Sequence, residues 1–366
     1  MNPSGAVTAV ESPGPSGLAT VAREPASVRI GELDALRGIA ALAVVFHHLT
    51  SRFYEDFGTP PGAVPAFPIP GVQGVFLFFI ISGFVISQTL DRTRRGREFL
   101  VSRFSRIFPS FWVCVLLTFG LVRLFGLPGR KVGVGAALVN LTMLQDHVHV
   151  AQVDYVYWSL TMELTFYAIA FAAHSRGWLA RHPHGFAWGW LAFSAACVVA
   201  SRGFGFNLHE NIKLLTLPNY APLFVAGILF HLLRFGRGTP ETHVLLACCL
   251  ALHNAANWGG KTGLVLSGGM FACFYLVAYR KLAFLGVRPL LFLGAISYPL
   301  YLLHNNIGMV FLRLQLAAGV GFVVALAVAL VAIIVLSAAV TRFVEKPAMR
   351  WIRDRMKSAR GGAVAV

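Results

Sequence analysis

Residues 33–49 read LDALRGIAALAVVFHHL, an apolar run that holds Arg37 and His48 eleven residues apart. At about 100° per residue, eleven steps come to roughly 20° past three turns, so both side chains share one helix face. The rise between them is about 16 Å. One stripe therefore carries an arginine near a membrane surface and an imidazole deep in the bilayer. Ionisable groups are costly inside lipid, so they face a protein interior or a wet cavity and mark candidate sites. His47 projects about 80° away from Arg37 and is the lesser candidate. A buried histidine bonded to a neighbouring helix is the structural alternative for His48. Asp34, one turn before Arg37, is expected to cap the helix start and touch Arg37.

Composition points the same way. The chain is 57% hydrophobic and 13% charged, with a mean hydropathy of +0.68. Soluble domains carry about twice that charge. Stretches long enough to span a bilayer recur at 34–52, 72–90, 106–126, 156–174, 186–203, 214–233, 242–257, 262–279, 289–312 and 318–341. The expected fold is an all-α integral membrane protein of about ten transmembrane helices. Residues 133–150 read as a short re-entrant or interfacial piece. Residues 1–30 are rich in Pro, Gly, Ser and Ala and read as a disordered cytoplasmic tail. The membrane domain is set at 31–347 and a basic tail at 348–366, with Trp351 and Ile352 giving the stretch after Arg342 an amphipathic character.

With the N-terminus cytoplasmic, 23 of the 31 Lys and Arg fall on the cytoplasmic flanks of ten alternating spans. The positive-inside rule then places both termini in the cytoplasm. The net charge of +16 follows from this asymmetry, so a nucleic-acid partner is not expected and the lipid bilayer is. The five cysteines all sit in apolar segments without metal-ligand spacing and read as small buried hydrophobes. No metal site is expected.

Three further spans carry unusual polar groups. YWSLTMELTFY (157–167) places Glu163 inside an apolar helix with Trp158, Ser159 and Tyr167 nearby. A structural ion pair is its plain alternative. GAISYPLYLLH (294–304) sets Ser297, Tyr301 and His304 on one stripe, with Tyr298 beside it and Pro299 expected to loosen the helix. Counted at about 1.5 Å per residue, His48, His304 and Glu163 fall near one depth, roughly 20 Å from the cytoplasmic face. Glu163 is then expected to orient a histidine or raise its basicity. DRTRRGREFLVSRFSRIFPSFW (91–112) supplies six arginines. Topology accounts for Arg92, Arg94, Arg95 and Arg97. Arg103 and Arg106, at i and i+3 where the helix begins, suit a phosphorylated cytoplasmic donor.

The chain resembles the membrane-bound acyltransferase type 3 family, whose members transfer acyl groups to bacterial surface sugars and some other acceptors. The resemblance rests on Arg37 with His48, FFIISGF (78–84), Arg103 with Arg106 in RFSRIFP, WSLTMELTFY with Glu163, ISYPLYLLH ending at His304, and FVEKP (343–347). These blocks run in order from residue 33 to 347. Within them, Gly83 permits close helix approach and Ser82 can bond across helices. Glu345 is expected to pair with a cytoplasmic arginine. Some family members carry a fused extracellular hydrolase-like domain. This chain shows none, and is expected to act alone or hand the acyl group to a polysaccharide-assembly partner.

The resemblance implies an O-acyltransferase of the cell inner membrane. Acyl-CoA, most simply acetyl-CoA, would be the donor co-substrate, held by Arg103 and Arg106 with Arg37 further in. A surface glycan or lipid-linked saccharide would be the acceptor. His48 would serve as general base or as nucleophile, Glu163 would orient or compensate charge, and Ser297, Tyr298, Tyr301 and His304 would line the substrate path. Two rivals use the same residues. A transporter of a lipid-linked sugar or anion also needs midplane ionisable groups, and a b-type haem protein would use His48 and His304 as axial ligands.

Overall fold

The computed structural model describes residues 29–93, 95–258 and 260–361, with side chains described as far as Met356. The expected disordered tail lies, up to residue 28, outside the described residues, as do Arg94 and the end of the basic tail.

The described residues are helical and carry no strand. Helix α1 (Gly31–His47) runs without interruption into a π-helical turn (His48–Arg52) and a last helical turn (Phe53–Phe57). There follow α2 (Val72–Leu90), α3 (Gly96–Phe125), α4 (Trp158–Ser175), α5 (Pro183–Phe204), α6 (Ala221–Arg234), α7 (Pro240–Asn257) and α8 (Lys261–Ala278). The chain ends in α9 (Arg288–Leu303), α10 (Asn306–Ala317), α11 (Phe322–Val340) and α12 (Lys346–Gly361). The 133–150 stretch forms one short helix, Val134–Asn140, followed by turns.

All ten apolar stretches are mainly helical, and among the described residues eight helical segments are long and apolar enough to cross a membrane; one of them joins a short helix (Glu210–Thr216) to α6 across a break at 217–220. Two depart from the expectation. Helix α7 has the length, yet Thr242, His243, His253, Asn254 and Asn257 dilute its apolar character. The 289–312 stretch is broken at His304–Asn305 into α9 and α10. The break is not at Pro299, which α9 passes through. Asp34 does not cap α1. Ile30 holds the cap position without a side-chain bond, and Asp34 instead pairs with Arg29 at 2.5 Å.

Glycines set the closest helix contacts, as they do where packing rather than apolar burial joins helices in lipid. Helices α2 and α6 run parallel and touch at Gly83 and Gly227. A Cβ on Gly83 would meet Phe224 O at 2.2 Å, and one on Gly227 would meet Ile80 O at 2.1 Å. Helices α1 and α9 also run parallel. A Cβ on Gly294 would lie 2.0 Å from Asp34 O. This second contact decides the site, because it lays the whole Arg37–His48 stripe along the Ser297–His304 stripe.

Candidate active site

At the far end of the α1–α9 seam two imidazoles touch. His48 and His304 have ring centroids 4.9 Å apart at an interplanar angle of 74°. His304 Nε2 lies 3.3 Å from His48 Nδ1. Both rings are buried, His304 completely. Backbone carbonyls fix their tautomers. His48 Nδ1 lies 2.9 Å from Val44 O, and His304 Nδ1 lies 2.7 Å from Tyr301 O. A carbonyl only accepts, so each Nδ1 carries the proton. His304 Nε2 is then a second acceptor for the His48 Nδ1–H. His48 Nε2 keeps its lone pair and bonds no described residue.

The backbone break that aims His304 is held from a distance. Asp154 is fully buried in the loop before α4. Its carboxylate accepts from Asn305 Nδ2 at 2.7 Å, Asn306 N at 2.9 Å and Val156 N at 3.3 Å. Asn306 N–H is the first donor of α10, so Asp154 caps that helix from another part of the chain. Asn306 Nδ2 donates in turn to Val153 O at 2.9 Å. Burial pushes the Asp154 carboxyl up to about 6 despite these donors.

One turn below His304, the Tyr301 hydroxyl donates to Val156 O at 2.9 Å and lies 2.7 Å from Ser159 Oγ. Below Tyr301 is a narrow cavity lined by Arg37, Phe79, Ser159, Glu163, Ser297 and Tyr298 among others. Its volume is about 50 Å³, room for one or two waters. Tyr301 lines it as well and separates it from the histidine pair. Tyr298 donates to Ile107 O at 3.1 Å and Ser297 to Gly294 O at 2.8 Å.

Glu163 does not lie at the level of the histidines. It accepts from Ser82 Oγ at 2.9 Å and from the Tyr167 hydroxyl. From His304 to Tyr301 and from Ser159 to Glu163 is seven residues of antiparallel helix, about 10 Å of rise. The depth count placed the carboxylate too far out because small errors at each helix start add. Glu163 therefore does not orient His48 or His304 by direct contact.

Further along, the Arg103 guanidinium stands over the Tyr167 ring at 5.9 Å and its Nη2 donates to Thr89 Oγ1 at 3.4 Å. Arg37 is half-buried, and its Nε is buried without a partner. Arg106 is close enough to act through charge on both Arg37 and Glu345. Glu345 makes no ion pair among the described residues, contrary to expectation. Its Oε2 is buried and unpartnered. The candidate residues thus form a column. Arginines stand at one end, Glu163 and the cavity in the middle, Tyr301 above it, and the histidine pair at the other end.

The sequence reading left out Asp154, Asn305 and Asn306. No local pattern marks them, since their relation spans about 150 residues. No three or more His, Cys, Asp or Glu gather as metal ligands among the described residues. The direct contact of the two rings leaves no room for a porphyrin between them, which removes the haem alternative.

A chain of apolar helices around a polar column that ends in a buried histidine pair is the architecture of a multi-pass membrane enzyme. Residues 30–342 match the acyltransferase domain model, and the chain belongs to this acyltransferase 3 family. It is 27% identical over 307 residues to exopolysaccharide production protein ExoZ of Rhizobium meliloti (strain 1021), covering 79% of this chain and 93% of that protein. It is 35% identical over 86 residues to an O-acetyl transferase of Shigella phage Sf6, 24% of this chain and 25% of that one. It is 31% identical over 153 residues to the acyltransferase MdmB of Streptomyces mycarofaciens, 39% and 38% of the two chains. The matches therefore span less than half of the phage and Streptomyces relatives. No solved structure matches the chain.

Proposed function

We propose that this protein is a multi-pass O-acyltransferase that moves an acetyl group from acetyl-CoA to a hydroxyl of a cell-surface or lipid-linked saccharide. The observation that carries the reading is the His48–His304 pair, which leaves His48 Nε2 unprotonated at the end of a polar column. Family membership favours chemistry at this column over transport through it.

In this mechanism Arg103 and Arg106 hold the CoA phosphates as guanidinium forks. Arg37 extends the positive potential inward, and the thioester follows the cavity past Glu163. Tyr301 swings aside to admit the acyl group. His48 Nε2 takes the proton from the acceptor hydroxyl as that oxygen attacks the thioester carbonyl carbon. The C–S bond then breaks, and the imidazolium returns its proton to the leaving CoA thiolate. Ser297, Tyr298 and Tyr301 offer hydrogen bonds along the path, and Glu163 compensates the arginine charge.

The distribution of basic residues supports ten membrane crossings, with the arginine end and both termini in the cytoplasm of an inner-membrane protein. The donor then enters from the cytoplasm and the acceptor from outside, so CoA need not cross. Impermeant labelling of single cysteines placed at 52–70 checks the orientation. Protection in intact spheroplasts, with labelling only after lysis, would reverse it.

The function itself is tested by base-labile acetate on surface glycans. Cells expressing wild type should carry it, and cells expressing His48→Ala at the same membrane level should not. Equal acetate in both would remove His48 from the chemistry. Acetate in neither would end the acetyl-transfer reading.

A further inference from the structure

Away from the column, buried polar atoms without partners gather between α2, α7 and α8. They are Gln73 Nε2 and Oε1, His253 Nε2, Asn254 Oδ1, Trp258 Nε1 and Ser267 Oγ. His253 and Ser267 are completely buried and Gln73 nearly so. Contacts bring these residues to one place. The Phe76 ring is 4.7 Å from that of His253 and 6.4 Å from that of Trp258. A Cβ on Gly263 would lie 2.7 Å from Asn254 Oδ1 and 2.5 Å from Trp258 Cγ. Ser267 is one turn along α8 from Gly263, and Gln73 one turn along α2 from Phe76.

Unpaired buried polar atoms are costly, so such a concentration calls for a partner. The chemistry of the set describes it. Asn257 Nδ2 donates to His253 Nδ1 at 3.1 Å, so the neutral ring carries its proton on Nε2. His253 Nε2, Trp258 Nε1 and Gln73 Nε2 are then donors. Gln73 Oε1 and Asn254 Oδ1 are acceptors, and Ser267 Oγ is both. None of the five side chains is an acid, a lysine or an arginine. A hydroxyl is the ligand group that donates and accepts at once, and an anion would meet the acceptors badly. Aromatic surface completes the set. Phe76 packs on Tyr220 at 6.4 Å, and Tyr220 on Trp158 at 5.7 Å.

The location fits as well. Gln73, Phe76 and Phe79 form a stripe on α2, and Phe79 lines the cavity that holds Glu163. Gly71, just before this stripe, lies against the His47 ring. The cluster is thus at the histidine end of the bundle, opposite the arginines.

We infer that Gln73, His253, Asn254, Trp258 and Ser267 form a subsite for the hydroxyls of a neutral sugar in the acceptor. This inference rests on the O-acyltransferase reading and assigns the acceptor end of the same path. The sugar binds beside the column while a neighbouring hydroxyl is presented to His48.

The test uses full-length protein in detergent with radiolabelled acetyl-CoA. Two acceptor probes are compared, the host's de-O-acetylated surface polysaccharide and its lipid-linked oligosaccharide fraction. The variants are Gln73→Leu, Asn254→Leu and the milder Ser267→Ala, each checked for membrane level and thermal transition. We expect the acceptor concentration at half-maximal rate to rise about tenfold for the Leu variants. kcat and the KM for acetyl-CoA should not change. The probe on which the rise occurs identifies the acceptor's source. Folded variants with unchanged acceptor KM would show that the cluster holds only water and overturn the inference. An equal rise in both KM values would show a structural role and overturn it too. No transfer by wild type to either probe would overturn the acyltransferase reading itself, and this subsite with it.

Discussion

His304 Nε2 lies 3.3 Å from His48 Nδ1, across a seam that joins residues 256 positions apart. With Val44 O it forms a two-acceptor cradle for one N–H, which leaves His48 a single free lone pair at Nε2. Replacing His304 with Ala removes half of that cradle and leaves His48, the base of the proposed mechanism, in place. We expect transfer to fall by about tenfold or more, against about 10²- to 10⁴-fold for His48→Ala. Glycan acetate at matched protein levels gives both values. Wild-type activity in His304→Ala would detach this contact from catalysis.

Glu163 accepts hydrogen bonds from two hydroxyls and meets neither histidine. Glu163→Gln keeps an acceptor for Ser82 and Tyr167 but removes the charge that faces Arg37 across the cavity. We expect a folded protein with transfer reduced about tenfold. Ser82→Ala and Tyr167→Phe should each lose only a few-fold, the worth of one hydrogen bond. A Glu163→Gln protein as active as wild type would make this carboxylate structural.

Arg103 and Arg106 are assigned to the donor phosphates. Arg103→Ala should raise the KM for acetyl-CoA about tenfold and leave kcat within about twofold. Added salt should weaken donor binding to wild type more than to the variant. A rise in acceptor KM instead would place these arginines at the wrong end.

The α2–α6 contact predicts a stability effect with a built-in control. A methyl at Gly83 or Gly227 has to displace backbone atoms of the facing helix. Gly83→Ala and Gly227→Ala should each destabilise by about 1–3 kcal/mol in detergent. Gly120 in α3 has nothing within 4 Å of an added Cβ. Gly120→Ala should be neutral or stabilising by about 0.5–1 kcal/mol. Equal melting temperatures for all three would contradict the packing.

Asp154 predicts a pH dependence. Its folded carboxyl is raised from 3.8 to about 6, so the folded state binds the proton more tightly than the unfolded chain. The stability this contributes is present below the unfolded value and is lost as pH rises through about 6. Asp154→Asn has no such titration. The melting temperature of wild type minus that of Asp154→Asn should therefore increase as pH is lowered from 7 to 4. A flat difference over that range would refute the assignment.

Much of the architecture is legible in the sequence because apolar length and basic flanks act locally. Every stretch read as a span is mainly helical, though 214–233 and 289–312 are each interrupted, and the period of the helix puts Arg37 and His48 on the face that meets α9. What local pattern could not place is the break between α9 and α10. Pro299 is the visible suspect, yet the helix yields five residues later, where Asp154 takes the first N–H of α10.

The sequence by itself therefore determined a bundle of apolar helices, the stripe from Arg37 to His48, and membership of an acyltransferase family. Those properties follow from helix period, bilayer thickness and ordered motifs, all written along one chain. The tertiary structure decided that His48 meets His304, that Glu163 answers Ser82, and that Asp154 holds the break. These depend on which helices abut and on their relative height. Both are set by close glycine contacts between segments distant in the chain, where a shift of one turn would exchange every partner.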